Sequence, residues 1–231
     1  MSEHTKQIIR HLHGVKTMQD IAQKGGWLQR IRRLQAWQCQ RLMISHQTSY
    51  ANEKFKPAIT FFVNELYGPK DFSQRDKDIA RVVNKMSTVV PDKALQTLAT
   101  ALQLYELSFE LDFEMVKKLS DQDVNRARYL EAYRACNNSH GRQQQIYLIE
   151  VLGNHLAEVV KIRGISALLL LSRKPAKYAG LDALHTFVSD GFKAFKGIGK
   201  VEDFILPIVY HEQRLMKLMF APNQPNPLPD V

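Results

Sequence analysis

With 231 residues and 45% apolar side chains, the chain can bury a sizeable core, which excludes general disorder. Its two cysteines, Cys39 and Cys136, fall within helical runs, which excludes a disulfide scaffold and a zinc knuckle. The net charge of +9 is gathered in two places: residues 1–57 hold ten basic groups against three acidic and residues 161–200 eight against two, while 58–160 and 201–231 are each net −2.

Helical periodicity, with breakers between the runs, predicts an all-α protein, a compact multi-helix bundle of about nine helices. The first helix is expected over residues 4–23 and ends at Gly25-Gly26; the second runs from Trp27 to Tyr50, and the third from Phe55 to Tyr67, stopped by Gly68-Pro69. Ser73 with Asp76 forms a capping-box-like start, and Ile79, Val82, Val83, Met86 and Val90 supply the buried stripe of that helix. After Pro91 comes the longest pattern, 92–119, with Leu95, Leu98, Leu102, Tyr105, Phe109 and Val116 at helical spacing. Ser120 with Asp123 opens a helix to Ala135, and Asn137-Asn138-Ser139 breaks it. The stripe Ile146, Ile149, Leu152, Leu156 and Val159 follows.

Beyond Gly164, a short apolar helix to Ser172 contains Leu168 to Leu171; it is far short of the roughly 20 residues that span a bilayer and reads as buried in the core. Pro175 and Gly180 bound the next turn, and helices over 181–196 and 201–220 complete the set. Residues 1–220 read as a single helical domain, with Asn137 to Gly141 the place to divide it. The tail 221–231, with four of the nine prolines, reads as extended or disordered. The polar start Ser2-Glu3-His4-Thr5-Lys6 has no secretory pattern, so the expectation is a cytoplasmic protein.

The stretch Phe61-Phe62-Val63-Asn64-Glu65-Leu66-Tyr67-Gly68-Pro69-Lys70-Asp71, continued by Phe72-Ser73-Gln74-Arg75-Asp76, resembles a family of uncharacterised bacterial proteins named for an FFLEELY-like sequence. Val63-Asn64 stands where that name has Leu-Glu. The likeness extends over much of the body, including Gly191-Phe192-Lys193-Ala194-Phe195. The resemblance implies a bacterial, helical protein and carries over no catalytic residue and no cofactor. Read from the residues alone, the stretch is a packed helix corner.

Chemistry is best sought in polar residues on apolar stripes, because an unpaired buried charge is costly. Asp112 lies three residues after Phe109 and four before Val116; Glu212 lies four after Ile208 and three before Leu215. Converging with His155, these carboxylates could ligate a metal between helices, although the usual Glu-x-x-His signature is absent and His155 to Glu158 has the reversed order. The structural reading pairs the carboxylates with an arginine, Arg81, Arg134 or Arg142.

Arg30, Arg33, Trp37 and Arg41 recur at three and four and share one helical face. Such a face could hold phosphates and stack a base; the other reading is a solvated face whose Trp37 tucks into the core. Lys193, Lys196 and Lys200 would extend the basic surface if the two charged segments adjoin. Gly197-Ile198-Gly199-Lys200 resembles a helix-hairpin-helix turn, but Asp203 stands where a small apolar residue is needed. His13 to Lys16 is similar to the His-x-x-Lys of phosphotransfer helices, with Thr17 in place of glycine, and Gly191 to Lys196 lacks the Lys-Ser/Thr ending of a phosphate loop.

The sequence therefore reads as a non-enzymatic binding or regulatory protein with a basic face toward nucleic acid or an acidic protein. The alternatives are a helical-bundle enzyme or ligand binder with an interior polar site at Asp112, His155 and Glu212, and a structural homo-oligomer.

Overall fold

The computed structural model describes residues 2–119 and 123–231 and places eleven α-helices among them. They are α1 (Glu3–Lys24), α2 (Leu28–Ser45), α3 (Gln47–Ala51), α4 (Lys56–Phe61), α5 (Ser73–Val89), α6 (Asp92–Lys118), α7 (Arg126–Cys136), α8 (Ser139–Val159), α9 (Ile165–Tyr178), α10 (Asp182–Lys196) and α11 (Glu202–Phe220). No described residue is in a strand. The second predicted helix divides at His46, whose backbone leaves the helical region (φ −113°, ψ 28°), which adds one helix to the expected set, and the third is interrupted. That third run begins as α4 and finishes as a π-helical segment, Phe62–Tyr67. Gly68 permits its end: a Cβ there would lie 2.6 Å from the Val63 carbonyl oxygen.

Helix α6 is the axis of the bundle, with α1 and α8 packed along it and α11 packed outside α8. Its 27 residues span about 40 Å, and its buried set includes Leu95, Leu98, Leu102, Tyr105, Phe109 and Val116, the residues read as its stripe. His11 of α1 reaches Glu106 of α6, with Nδ1 2.5 Å from Oε2. One continuous core draws residues from α1 through Leu228. The two segments that carry the family resemblance meet within it. Phe61 packs on Phe187 with centroids 5.5 Å apart, and Gly191 lies so close to the Phe61 ring that a Cβ would stand 2.7 Å from Cζ.

Three local expectations are corrected, and a fourth falls outside the described residues. Ser73 is not an N-cap: Asp71 Oδ1 accepts from its N–H (2.9 Å) and its hydroxyl (2.5 Å), while Asp76 is drawn to Arg75. The start expected for α7 at Ser120 lies outside the described residues; the cap present is Asn125, whose side chain accepts from the N–H groups of Ala127 and Arg128. Helix α9 does not stop before Pro175 but runs through it: proline removes the bond to the Leu171 carbonyl, and the turn resumes with Ala179 N–H donating to the Pro175 carbonyl. Nor is α9 a core helix. Ile165 alone is fully buried in it, and Leu170 and Leu171 are 72% and 74% exposed.

The proline-bearing tail is extended and docked. Leu228 is 2% exposed within the core, Arg126 donates to the Asn226 carbonyl and the Asn226 amide donates back to the Arg126 carbonyl. Prolines lower the entropy lost on ordering such a segment. Leu228→Ala is expected to cost at least about 2 kcal/mol, read as a lowered urea midpoint; an unchanged midpoint would mean that the tail adds nothing to the core.

Candidate functional site

The cationic stripe of α2 is taken apart by packing. Arg30 donates to the carbonyls of Val116 (3.0 Å) and Leu119 (2.5 Å) and so closes the C-terminus of α6. Trp37 is buried and stacked on Tyr129, centroids 4.5 Å apart, at the head of an aromatic row continued by Tyr133 and Phe220. Arg41 is buried, and Arg33 is left exposed at the surface. Arginines elsewhere do as Arg30 does: Arg81 donates to the carbonyls after α9, and Arg134 to those ending α11. Three arginines thus serve helix C-termini, and of these only Arg30 belongs to the two basic segments. No phosphate-stacking face survives on α2, since its aromatic is inside.

Asp112 and Glu212 are both interior, and each has its own partners. Glu212 takes Arg41 Nη1 on both oxygens (2.6 and 2.7 Å), with His46 Nε2 2.8 Å from Oε1. Burial pushes its carboxyl upward, but the charge of Arg41 and the bonds from His46 and Arg41 outweigh burial and bring it down to about 2. Asp112 accepts from the amides of Gln35 and Gln38, each at 3.1 Å, and Gln38 reaches on to the Tyr129 hydroxyl. Burial dominates there and raises its carboxyl to about 6, against the opposing charge of Arg142 and the two amide bonds. The Arg142 guanidinium lies over the Tyr133 ring, 4.9 Å from its centroid, and donates to Gln145.

His155 does not join the two carboxylates; its Nδ1 stands 3.3 Å from Thr100 Oγ1, and burial with the nearby charge of Lys93 lowers its pKa. The three residues therefore form no common ligand set, and among the described residues no group of three or more His, Cys, Asp or Glu side chains is arranged to hold a metal. Glu212 has its arginine, but from the α2 stripe rather than from Arg81, Arg134 or Arg142. Lys193 pairs with Asp190 at 3.5 Å, Lys196 donates to Ser166 of α9, and Lys200 is exposed. Helix α2 packs on α1, α3, α6 and the π-helical segment, and α9 packs on α10, which in turn packs on α4, α5 and α8.

A second interior feature is apolar. A cavity of ≈ 660 Å³ opens between α5, α6, α8, α9 and α10, walled by Val82, Met86, Leu98, Leu156, Leu169 and Val188 among others. Its polar wall groups are mostly engaged: Thr97 Oγ1 donates to the Lys93 carbonyl, His185 Nε2 lies 2.9 Å from the Leu169 carbonyl, and Ser172 Oγ donates to that same carbonyl. Lys85, exposed at the rim, is the only lysine or arginine on the wall among the described residues. Leu152 and Leu156 separate this space from a smaller one of ≈ 100 Å³ that reaches Arg41, His46 and Glu212.

Over residues 17–227 the chain matches the family described as a domain of unknown function, DUF8198. The chain belongs to this family. Within DUF8198 as this chain represents it, the cavity walls, the Arg41–Glu212 pair and the Asp112 cluster all fall inside the matched span. No curated protein and no solved structure matches the chain significantly. No helix among the described residues is long and apolar enough to cross a membrane.

Sequence reasoning missed the cavity, although two signals for it were present. The apolar stripe of α5 is broader than its contacts: Ile79 and Val83 are fully buried, while Val82, Met86 and Val90 are only partly covered and face the open space. Leu168 to Leu171 also puts more leucine on α9 than one buried face can use.

Proposed function

We propose that this protein binds one long aliphatic chain in the cavity between α5, α6, α8, α9 and α10. The observation that carries the reading is the cavity itself: ≈ 660 Å³ of almost wholly apolar wall, within the range of about 300–1,000 Å³ typical of small-ligand pockets. So apolar a wall offers water few hydrogen-bond partners, which favours an apolar occupant. A carboxylate or other acidic head on that chain would meet Lys85 at the rim. This reading keeps the ligand-binder class raised by the interior carboxylates and moves the ligand from Asp112 and Glu212, which are already bonded, to the apolar side of the bundle.

Titration with a fluorescent polyene fatty acid tests it. The expected result is saturable binding, reversed by oleate, and weakened at least about tenfold, or 1.4 kcal/mol, by Ala94→Trp or Ala101→Phe, each of which fills the cavity from α6. Both variants should retain the wild-type helical circular dichroism. Absence of saturable binding by the wild type, or equal binding by both filled variants, would defeat the proposal.

A further inference from the structure

We infer that the outer face of α9 is a docking surface for an anionic lipid bilayer. This goes beyond the cavity reading and does not rest on it. Between Glu158 and Asp182 the chain has no acidic residue and five cations, Lys161, Arg163, Arg173, Lys174 and Lys177. Lys196 of α10 adds a sixth by donating to Ser166 on α9 (3.1 Å). Interleaved with these cations are the most exposed large apolar side chains in the region: Leu170, Leu171 and Tyr178, the last 89% exposed.

Helical spacing explains how both properties occupy one side. Leu170 and Lys174 are four apart and Lys177 follows three later; Leu171, Lys174 and Tyr178 step by three and four. The opposite side carries Ile165, Leu169, Ser172 and Ala176, which wall the cavity. The helix is therefore apolar inward against the cavity and both apolar and cationic outward against solvent. A helix with leucines directed to one medium and lysines able to extend along it lies in the headgroup layer, its apolar groups in the acyl boundary and its ammonium groups at the phosphates.

Charge complementarity selects this occupant over two others. A second copy docking through the same face would set these cations against their own kind, a repulsion that an isologous contact cannot avoid. A nucleic acid would pair the cations but leave Leu170 and Leu171 against phosphates, with no apolar surface to receive them. An anionic bilayer receives both. Because α9 packs mainly on α10, docking engages a helix that the rest of the bundle leaves uncovered.

Co-sedimentation of the full chain with vesicles, at low salt, is the test. Vesicles of mixed phosphatidylcholine and phosphatidylglycerol should carry the protein down, vesicles of phosphatidylcholine alone should not, and added salt should release it. Leu170→Glu/Leu171→Glu and, separately, Arg173→Ser/Lys174→Ser/Lys177→Ser should each lower the partition coefficient at least about tenfold. All these positions are exposed, so both variants should fold as the wild type does. Leu170→Trp should add a blue-shifted fluorescence component when the mixed vesicles are present. The inference is overturned by absence of phosphatidylglycerol-dependent binding, by wild-type partitioning in both variants, or by a dimer that Leu170→Glu/Leu171→Glu dissociates while no vesicles bind. Vesicle binding without fatty-acid uptake would leave this inference standing and remove the cavity reading; the converse would do the opposite.

Discussion

Glu212→Gln is expected to lower the thermal midpoint by on the order of 10 °C, equivalent to about 3–5 kcal/mol for a chain of this size. Glu212, Arg41 and His46 are all nearly inaccessible, with side-chain exposures of 12%, 7% and 8%. Removing the negative charge strands the Arg41 guanidinium in a site with no other carboxylate bonded to it, and the cost is that of an unpaired buried cation rather than the value of one bond. The control is Arg41→Met/Glu212→Leu, which removes both charges, keeps the volume and should recover most of the loss. The pH dependence carries the same signature. The folded carboxyl sits at about 2, below its unfolded value of about 4.3, so its stabilising contribution is complete above that unfolded value and is lost as pH falls toward the folded one. Urea unfolding from pH 5 to pH 2 should show a steep acid limb in the wild type and a shallower one in Glu212→Gln; equal slopes would exclude Glu212 as its source.

Asp112→Asn is expected to act in the opposite direction and in a different window. The folded carboxyl titrates at about 6, above an unfolded value of about 3.9. The unfolded chain therefore releases the proton first, and stability falls as pH rises from about 4 through the folded value. Asparagine is neutral throughout, so the variant should match the wild type near pH 4 and exceed it above pH 6 by on the order of 2–3 kcal/mol. The cluster can receive it. Gln38 Oε1 is buried with no partner among the described residues, so turning that amide offers the asparagine N–H₂ an acceptor while Gln35 still donates to its oxygen. Equilibrium urea unfolding at several pH values from 4 to 7 measures the gap, and a gap that does not widen across that range would show that burial of the Asp112 charge is not its cause.

The helical class was open to reading because it depends on local chemistry. The stripe of α6, the stop at Gly68 and the break at Asn137, whose backbone takes φ 47°, are written in residues close in sequence. Local chemistry also misled where another partner, near or distant, competed for the same group. Ser73 lost its capping role because Asp71 took its hydroxyl, and Asp76 was diverted to Arg75. The stripe of Arg30, Trp37 and Arg41 reads as a surface by charge, but Arg30 found the carbonyls of α6, Trp37 found Tyr129 and Arg41 found Glu212, each more than eighty residues away.

By itself the sequence determined that the chain is all-α, where most helices begin and end, and that Asp112 and Glu212 are interior, because periodicity and caps act over one or two turns. Only the tertiary structure decided which charges are consumed, that α9 lies on the surface rather than in the core, and that an apolar space opens beneath it. Those outcomes depend on how much of each apolar stripe its neighbours can cover. That quantity is set by the packing of α5, α6, α8 and α10 together and by no single helix.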